Sequence, residues 1–160
     1  MGKTPDEYCN VRRMTANDVE AVADVEADAF PFPWPASFFA GELQNPLAVY
    51  LVLEIAGKIR GYAGFWMVLC EAQVINIAIH SRARGRGLGK LLVGALVAAA
   101  SSLGAESIIL EARASNSIAH ALYTKTGFVR CGLRPGYYQD TGEDAVLMRK
   151  TITRQSGENY

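Results

Sequence analysis

The chain has little of what builds metal and disulfide sites: three cysteines, Cys9, Cys70 and Cys131, and two histidines, His80 and His120, in 160 residues. The cysteines are odd in number, widely spaced and without a Cys-x-x-Cys pair, so reduced thiols and no metal are expected. Neither charge is in excess. Sixteen basic side chains balance sixteen acidic ones, which removes the global field that nucleic acid or an anionic membrane would select. No long apolar run exists either: Leu91 to Ala100 is the longest, far below the roughly 18 residues that suggest a membrane span. The opening Met-Gly-Lys-Thr-Pro-Asp-Glu-Tyr has no apolar signal core, and Asp6 stands where a myristoylation motif requires Ser or Thr. These absences lead to the expectation of a cytoplasmic protein with no direct nucleic-acid or membrane partner.

What is present is apolar mass, half of all residues, enough at this length for one domain with a substantial core. The expected layout is a flexible N-terminus over 1–9, one domain over 10–152 and a polar tail over 153–160. Asn10–Met14 reads as a strand, and Thr15–Asp18 caps a helix that the prolines at 31, 33 and 35 end near Phe30. A second helix over Ser37–Leu43 precedes a hairpin, Ala48–Ile55 and Lys58–Val68 about Ala56-Gly57, where Gly61, Ala63 and Gly64 mark a close approach. The strand Ala72–Ile79 follows. The long helix Leu88–Leu103 turns Leu88, Leu91, Leu92, Ala95, Leu96, Ala99 and Leu103 to the core. After it come the strand Ser107–Ala112, the helix Asn116–Thr126 with Ile118, Leu122 and Phe128 inward, and the strands Phe128–Leu133 and Ala145–Thr151. Strand, helix, strand in this order implies a parallel right-handed crossover. The class is α+β, a mixed sheet of about seven strands with about four helices.

The stretch around which this is organised is Val74 to Val93. A β-branched run passes through an arginine- and glycine-rich turn into a helix start. Glycines at 85, 87 and 89 remove the Cβ atoms that would keep a bulky ligand from the backbone, and the first turn of a helix offers unpaired N–H groups at the positive end of its dipole. Arg82, Arg84, Arg86 and Lys90 add mobile positive charge, so the turn reads either as a tight connection or as a pyrophosphate cradle. A Walker loop would need Gly and Ser or Thr where Arg84 and Leu91 stand, and the glycine spacing fails the dinucleotide fingerprint. Arg-x-x-Gly-x-Gly at Arg84, Gly87 and Gly89, after a strand ending Asn-Ile-Ala-Ile, resembles the acetyl-CoA loop of the GCN5-related N-acetyltransferase (GNAT) superfamily.

Two residues are anomalous for their settings. Glu111 is a carboxylate near the end of an apolar strand, where it is exposed by the pleat, paired with Arg113 or another base, or kept for proton transfer. Tyr123 lies on a helix and is either an amphipathic packing residue or a phenol able to protonate a departing thiolate. Asn116 is a good helix N-cap whose amide has a second face for a ligand. The aromatics among the prolines are core for Phe30, Phe38 and Phe39, while Trp34 stands open between packing and an acceptor groove. Cys70 and Cys131 raise a rival route through an acyl-cysteine, but neither sits in a motif with an activating base.

Leu110-Glu-Ala-Arg-Ala-Ser-Asn116, then Ala121-Leu-Tyr-Thr-Lys-Thr-Gly-Phe128, the pair Tyr137-Tyr138 and Asp144-Ala-Val-Leu-Met148 resemble one branch of that superfamily, the RimI-type ribosomal-protein-alanine N-acetyltransferases. The resemblance implies the GNAT fold, with acetyl-CoA bound at a splay between two parallel strands and no metal. It implies Glu111 as general base and Tyr123 as general acid beside the thioester. Acetyl-CoA contacts are implied at Ile77, Ala78 and Ile79, at Arg84, Gly85, Arg86, Gly87, Leu88, Gly89 and Lys90, and at Asn116 and Tyr123. It also implies Trp34, Tyr137 and Tyr138 about an acceptor that is a protein N-terminus, a ribosomal protein's above all. Ala112, where Val is commoner, and an extra residue or two about Phe32-Pro-Trp34 depart from the pattern.

Overall fold

A computed structural model of the chain describes residues 8–153. Apart from Tyr8, Cys9 and Thr153, the expected flexible N-terminus and polar tail lie outside the described residues. The strands are β1 (Cys9–Arg13), β2 (Ala48–Ile55), β3 (Lys58–Val68), β4 (Glu71–Ile79), β5 (Ser107–Arg113), β6 (Val129–Tyr138) and β7 (Glu143–Thr151). The helices are α1 (Val19–Ala29), α2 (Ala36–Leu43), α3 (Leu88–Ser102) and α4 (Ser117–Lys125). The seven strands join in the order β1-β2-β3-β4-β5-β7-β6, with β4 and β5 parallel. This is the α+β mixed sheet expected of the sequence. Among the described residues no helix is long and apolar enough to cross a membrane.

The chain divides into two units. The first runs to Trp66 and resumes over Val74–Leu96; the second takes Met67–Gln73 and everything from Val97 on. In the first, Val22 and Val25 of α1 and Phe39 of α2 pack with Tyr50, Val52 and Tyr62 of the sheet. The β2–β3 turn needs left-handed φ at two successive residues, taken by Ala56 (50°) and Gly57 (77°). Gly61 and Gly64 are close approaches, as expected: a Cβ at Gly61 would lie 2.8 Å from Ile79 Cδ1, and one at Gly64 would enter the Tyr50 ring. In the second unit β7 lies between β5 and β6, pairing Glu111 with Leu147 and Arg134 with Ala145.

Three expectations need correction. β6 does not stop near Leu133 but runs to Tyr138, because the Pro135-Gly136 irregularity is absorbed as a register shift and the Gly136 N–H donates to Asp144 Oδ1 at 2.8 Å. Ile118 is 84% exposed, because the inward stripe of α4 is centred on Tyr123 and Ala119, a step of about 100° away. On α3 the buried line is Leu88, Leu92, Leu96 and Ala100, with Val93 beside it, so Leu91 and Leu103 are exposed. A line of four-residue steps leaves both leucines on its flank.

The entry to α1 is fixed by charge. Asp18 is buried and accepts two hydrogen bonds from Arg12, at 2.7 and 2.9 Å, and the Thr15 N–H at 2.7 Å. Arg12 also holds Glu54 of β2. The Arg12 bonds lower the Asp18 pKa from 3.8 to about 2. A carboxyl lowered on folding adds stability above its unfolded pKa and loses it as pH falls through the folded value. Asp18→Asn is therefore expected to cost on the order of 2 kcal/mol at neutral pH and to flatten the fall in stability between about pH 4 and 2. Urea denaturation across that range checks this; an unchanged slope in the variant contradicts it.

Candidate active site

In the first unit β4 leads through a short turn, Ser81–Ala83, and a glycine-rich loop into α3. The His80 N–H donates to the Arg60 carbonyl of β3 at 2.7 Å. Main-chain groups alternate sides along a strand, so those of Ile77 and Ile79 point away from β3. On that side the register with β5 comprises only Glu71, Ala72 and Gln73. Side chains take up part of the slack: the Ile77 N–H donates to Asn76 Oδ1 at 3.1 Å, and Arg84 Nε donates to the Ile79 carbonyl at 3.1 Å. Arg84 is thus anchored to the strand end rather than mobile, a correction to its sequence reading. Asp28 of α1 braces the root of the loop, accepting the Ser81 N–H at 2.7 Å and its hydroxyl at 2.8 Å.

The loop has the shape of a cradle. Gly85 and Gly87 take φ of +79° and +74°, which L side chains resist, and a Cβ on either would meet nothing within 4 Å. The Leu91 N–H reaches back to Gly87 at 3.4 Å, so the amides of Leu88, Gly89 and Lys90 belong to the first turn and have no intrahelical acceptor. A recess of about 320 Å³ beside the loop is lined by Lys58, Arg60, Arg82 and Arg86 with Ile55, Ala56 and Ala83. Cations gather there although the chain as a whole is neutral. Open amides, left-handed glycines and nearby cations together suit a diphosphate.

Trp34, also in the first unit, is 36% exposed and lies against Phe38, ring centroids 4.3 Å apart. Phe39 is fully buried, and Phe30 and Phe38 are packed against the same core, as the sequence suggested. Unforeseen was Glu26, a carboxylate of α1 only 2% exposed. It accepts from the Tyr62 hydroxyl of β3, from Asn76 Nδ2 of β4 at 3.2 Å and from the Trp34 N–H at 3.4 Å. Burial raises its pKa against the opposing effect of those bonds. Glu42 of α2 is similar, accepting from the Tyr50 hydroxyl and Trp66 Nε1, both at 2.7 Å, and from Asn45 Nδ2 at 3.5 Å. The signal was readable: Glu26 stands four residues after Val22, on the apolar stripe of α1, and Asn76 interrupts an apolar strand.

The second unit brings together Glu111, Arg134, Tyr137 and Tyr138. Glu111 Oε1 lies 3.2 Å from Arg134 Nε, with the carboxylate side chain 27% exposed. The Tyr137 phenol lies near Glu111, and the nearby carboxylate more than burial raises its pKa. Arg113 is not the partner of Glu111; it pairs with Asp140 at 2.9 Å and covers the Tyr138 ring at 4.0 Å. Glu111 and Arg113, two apart in β5, share a face, but the Arg113 guanidinium is turned to Asp140, and the base that meets Glu111 is Arg134, reached across β7. Tyr137 and Tyr138 are edge to face, 5.1 Å apart, and stand at the end of β6 rather than in a loop. Tyr123 is buried on α4 against Phe128, and burial, then the nearby Tyr138, raises its pKa to about 12. Such a phenol keeps its proton through neutral pH. Asn116 caps α4, Oδ1 accepting the Ala119 N–H at 3.1 Å. The histidines are structural: His80 Nδ1 accepts the Arg82 N–H at 3.2 Å, and His120 Nε2 lies 2.9 Å from the Arg113 carbonyl. Among the described residues no cluster of metal-binding side chains occurs.

Removing the Glu111 charge beside the Tyr137 phenol should let that phenol's pKa fall. In Glu111→Gln the Tyr137 ring is expected to ionise closer to the ordinary tyrosine value of about 10, read by NMR titration of labelled rings. An unmoved Tyr137 titration contradicts this.

The model of the acetyltransferase (GNAT) family matches residues 19–128. A Bacillus subtilis protein provisionally named a ribosomal protein bS18-alanine N-acetyltransferase is 43% identical over 143 residues, 89% of this chain and 95% of that one. The ribosomal protein bS18-alanine N-acetyltransferase of Escherichia coli K12 is 33% identical over 145 residues, 89% of this chain and 97% of its own. The crystal structure of the ribosomal-protein-S18-alanine N-acetyltransferase from Escherichia coli superposes with a TM-score of 0.84 at 32% identity, over 95% of this chain and 99% of that one. With a family model over more than half its length and relatives above 30% identity along nearly all of it, the chain belongs to the acetyltransferase (GNAT) family and is an acetyl-CoA-dependent N-acetyltransferase.

Proposed function

We propose that the enzyme acetylates the α-amino group of a protein N-terminus, alanine first and on a ribosomal protein above all, in the cytoplasm and through one domain spanning 10–152. The observation that carries this reading is the arrangement about Glu111: a strand carboxylate paired with Arg134 at 3.2 Å beside the Tyr137-Tyr138 pair on the adjoining hairpin. The names of the Bacillus subtilis and Escherichia coli relatives support the acceptor.

In this reading the diphosphate of acetyl-CoA rests on the amides of Gly85 to Lys90, with Arg84 and Arg86 nearby, and its pantetheine arm runs along Ile77 to Ile79. Asn116 bonds a pantetheine amide through Nδ2 while Oδ1 keeps the helix cap. The Ile79 N–H faces the thioester carbonyl oxygen as that oxygen gains charge. Trp34 of the first unit, and Tyr137 and Tyr138 of the second, are the residues assigned to contact with the acceptor. A free α-amine has a pKa of about 8, so a usable fraction is already neutral at pH 7 and one proton remains to be removed during transfer. The amine nitrogen attacks the thioester carbon, the C–N bond forms and the C–S bond breaks. Glu111 receives the ammonium proton, directly or through water, and the neutral Tyr123 phenol supplies one to the departing thiolate. No covalent enzyme intermediate is needed, and Cys70 and Cys131 are exposed free thiols without a part in the reaction.

Peptides with a free N-terminal alanine, with and without an internal lysine, are expected to gain one acetyl group at the N-terminus by intact-mass measurement. Acetylation confined to lysine, or to small amines, contradicts the reading. Glu111→Gln and Tyr123→Phe should each lower kcat roughly 100-fold with acetyl-CoA affinity little changed. Gly87→Val should instead abolish acetyl-CoA binding by calorimetry, since it strains a left-handed φ and fills the approach to the amides. Wild-type turnover in the first pair, or wild-type affinity in the last, refutes the assigned roles.

A further inference from the structure

Three hydrogen-bond donors from three different elements converge on the Glu26 carboxylate: the Tyr62 hydroxyl from β3, Asn76 Nδ2 from β4 and the Trp34 N–H from the proline-rich segment between α1 and α2. Asn76 is not a terminus of this chain of bonds. Its Oδ1 accepts the Ile77 N–H at 3.1 Å, and its Nδ2 also lies 3.0 Å from the Tyr62 oxygen. A single buried carboxylate therefore joins the wall that carries Trp34 to the strand that ends in Ile77 and Ile79. We infer that Glu26 is a positioning residue that pins the Trp34 wall to β4 and so sets how tightly the acceptor is held. The inference rests on the proposed peptide acetyltransferase reading in one respect, that Trp34 faces the acceptor.

The choice of glutamate has a stereochemical reason. All three partners donate, and only an ionised carboxylate offers acceptors on both ends. A glutamine in its place keeps one oxygen, which satisfies Tyr62 and Asn76, and turns its NH2 toward the Trp34 N–H, donor against donor. Glu26→Gln thus releases the wall while keeping the core bonds. Glu42 provides a matched control on the other helix. It too is buried and accepts from three donors, but these are Tyr50, Trp66 and Asn45, and none belongs to the Trp34 segment or to β4.

The test compares Glu26→Gln with Glu42→Gln in the full chain, with melting temperature as a check on folding. At saturating acetyl-CoA, Glu26→Gln should raise the KM for an N-terminal alanine peptide roughly tenfold, the scale of one lost hydrogen bond, with the KM for acetyl-CoA little changed. Glu42→Gln should lower the melting temperature comparably and leave the peptide KM near wild type. A readout without turnover comes from 5-fluorotryptophan and fluorine NMR, the two tryptophan lines being assigned with Trp66→Phe. Glu26→Gln should move or broaden the Trp34 line, and Glu42→Gln the Trp66 line. A Trp34 line unmoved by Glu26→Gln overturns the inference, as does a peptide KM raised equally by both variants. If the wild-type enzyme acetylates no peptide, the peptide reading fails on its own. The fluorine lines then decide whether the pin exists.

Discussion

β4 has nine residues, and its pairing with β5 is over after the first three, Glu71 to Gln73. A main-chain polar group left without a partner away from water costs about 1–3 kcal/mol, so a strand that outlasts its neighbour needs other partners. The chain provides some of its own. Asn76 takes the Ile77 N–H, Arg84 donates to the Ile79 carbonyl, and Gly61 has no side chain where Ile79 packs. In the proposed reading the substrate provides the rest, pairing with the strand as a further strand would. The loop beyond continues the same logic, because the first turn of α3 also has amides without intrahelical acceptors, reached past glycines whose missing Cβ atoms leave the approach open.

The carboxylates are distinguished by what donates to them. Glu111 faces a guanidinium, with a phenol near, on a partly open strand, and in the proposed reading that openness is what admits proton transfer. Glu26 and Glu42 face neutral donors in closed surroundings and serve to fasten α1 and α2 to strands beneath them. Asp18 and Asp28 mark the two ends of α1, one bound by Arg12 and one by Ser81. The arginines follow the same division of labour. Arg113 is used up by Asp140 and the Tyr138 ring, which leaves Arg134 to meet Glu111.

Much of this was legible in the residues because it depended on local rules. The left-handed turn at Ala56-Gly57, the Asn116 cap, the helix start after Gly87 and the small residues of β3 are consequences of neighbours in sequence. What depended on partners far along the chain was not. Arg134 is 23 residues from Glu111, and Trp34, Tyr62 and Asn76 meet at Glu26 only because a helix and two strands are packed together. The end of β6 was misjudged because Pro135 and Gly136 normally close a strand. Here Asp144, eight residues on, satisfies the amide that the irregularity exposes. Ile118 and Leu91 were misplaced for a simpler reason, since an apolar residue one step off a helical stripe looks the same in sequence as one on it.

The central claim is that main-chain amides of the β4 end and the α3 start receive the co-substrate. Amide chemical shifts of the labelled enzyme, followed while acetyl-CoA is added, test it most directly. The account predicts that the largest changes fall on Ile79 and on Gly85 through Lys90, with Ala56 and Gly57 at the hairpin turn unchanged. Saturable binding that leaves the amides of Ile79 and Gly85 to Lys90 unmoved would contradict it.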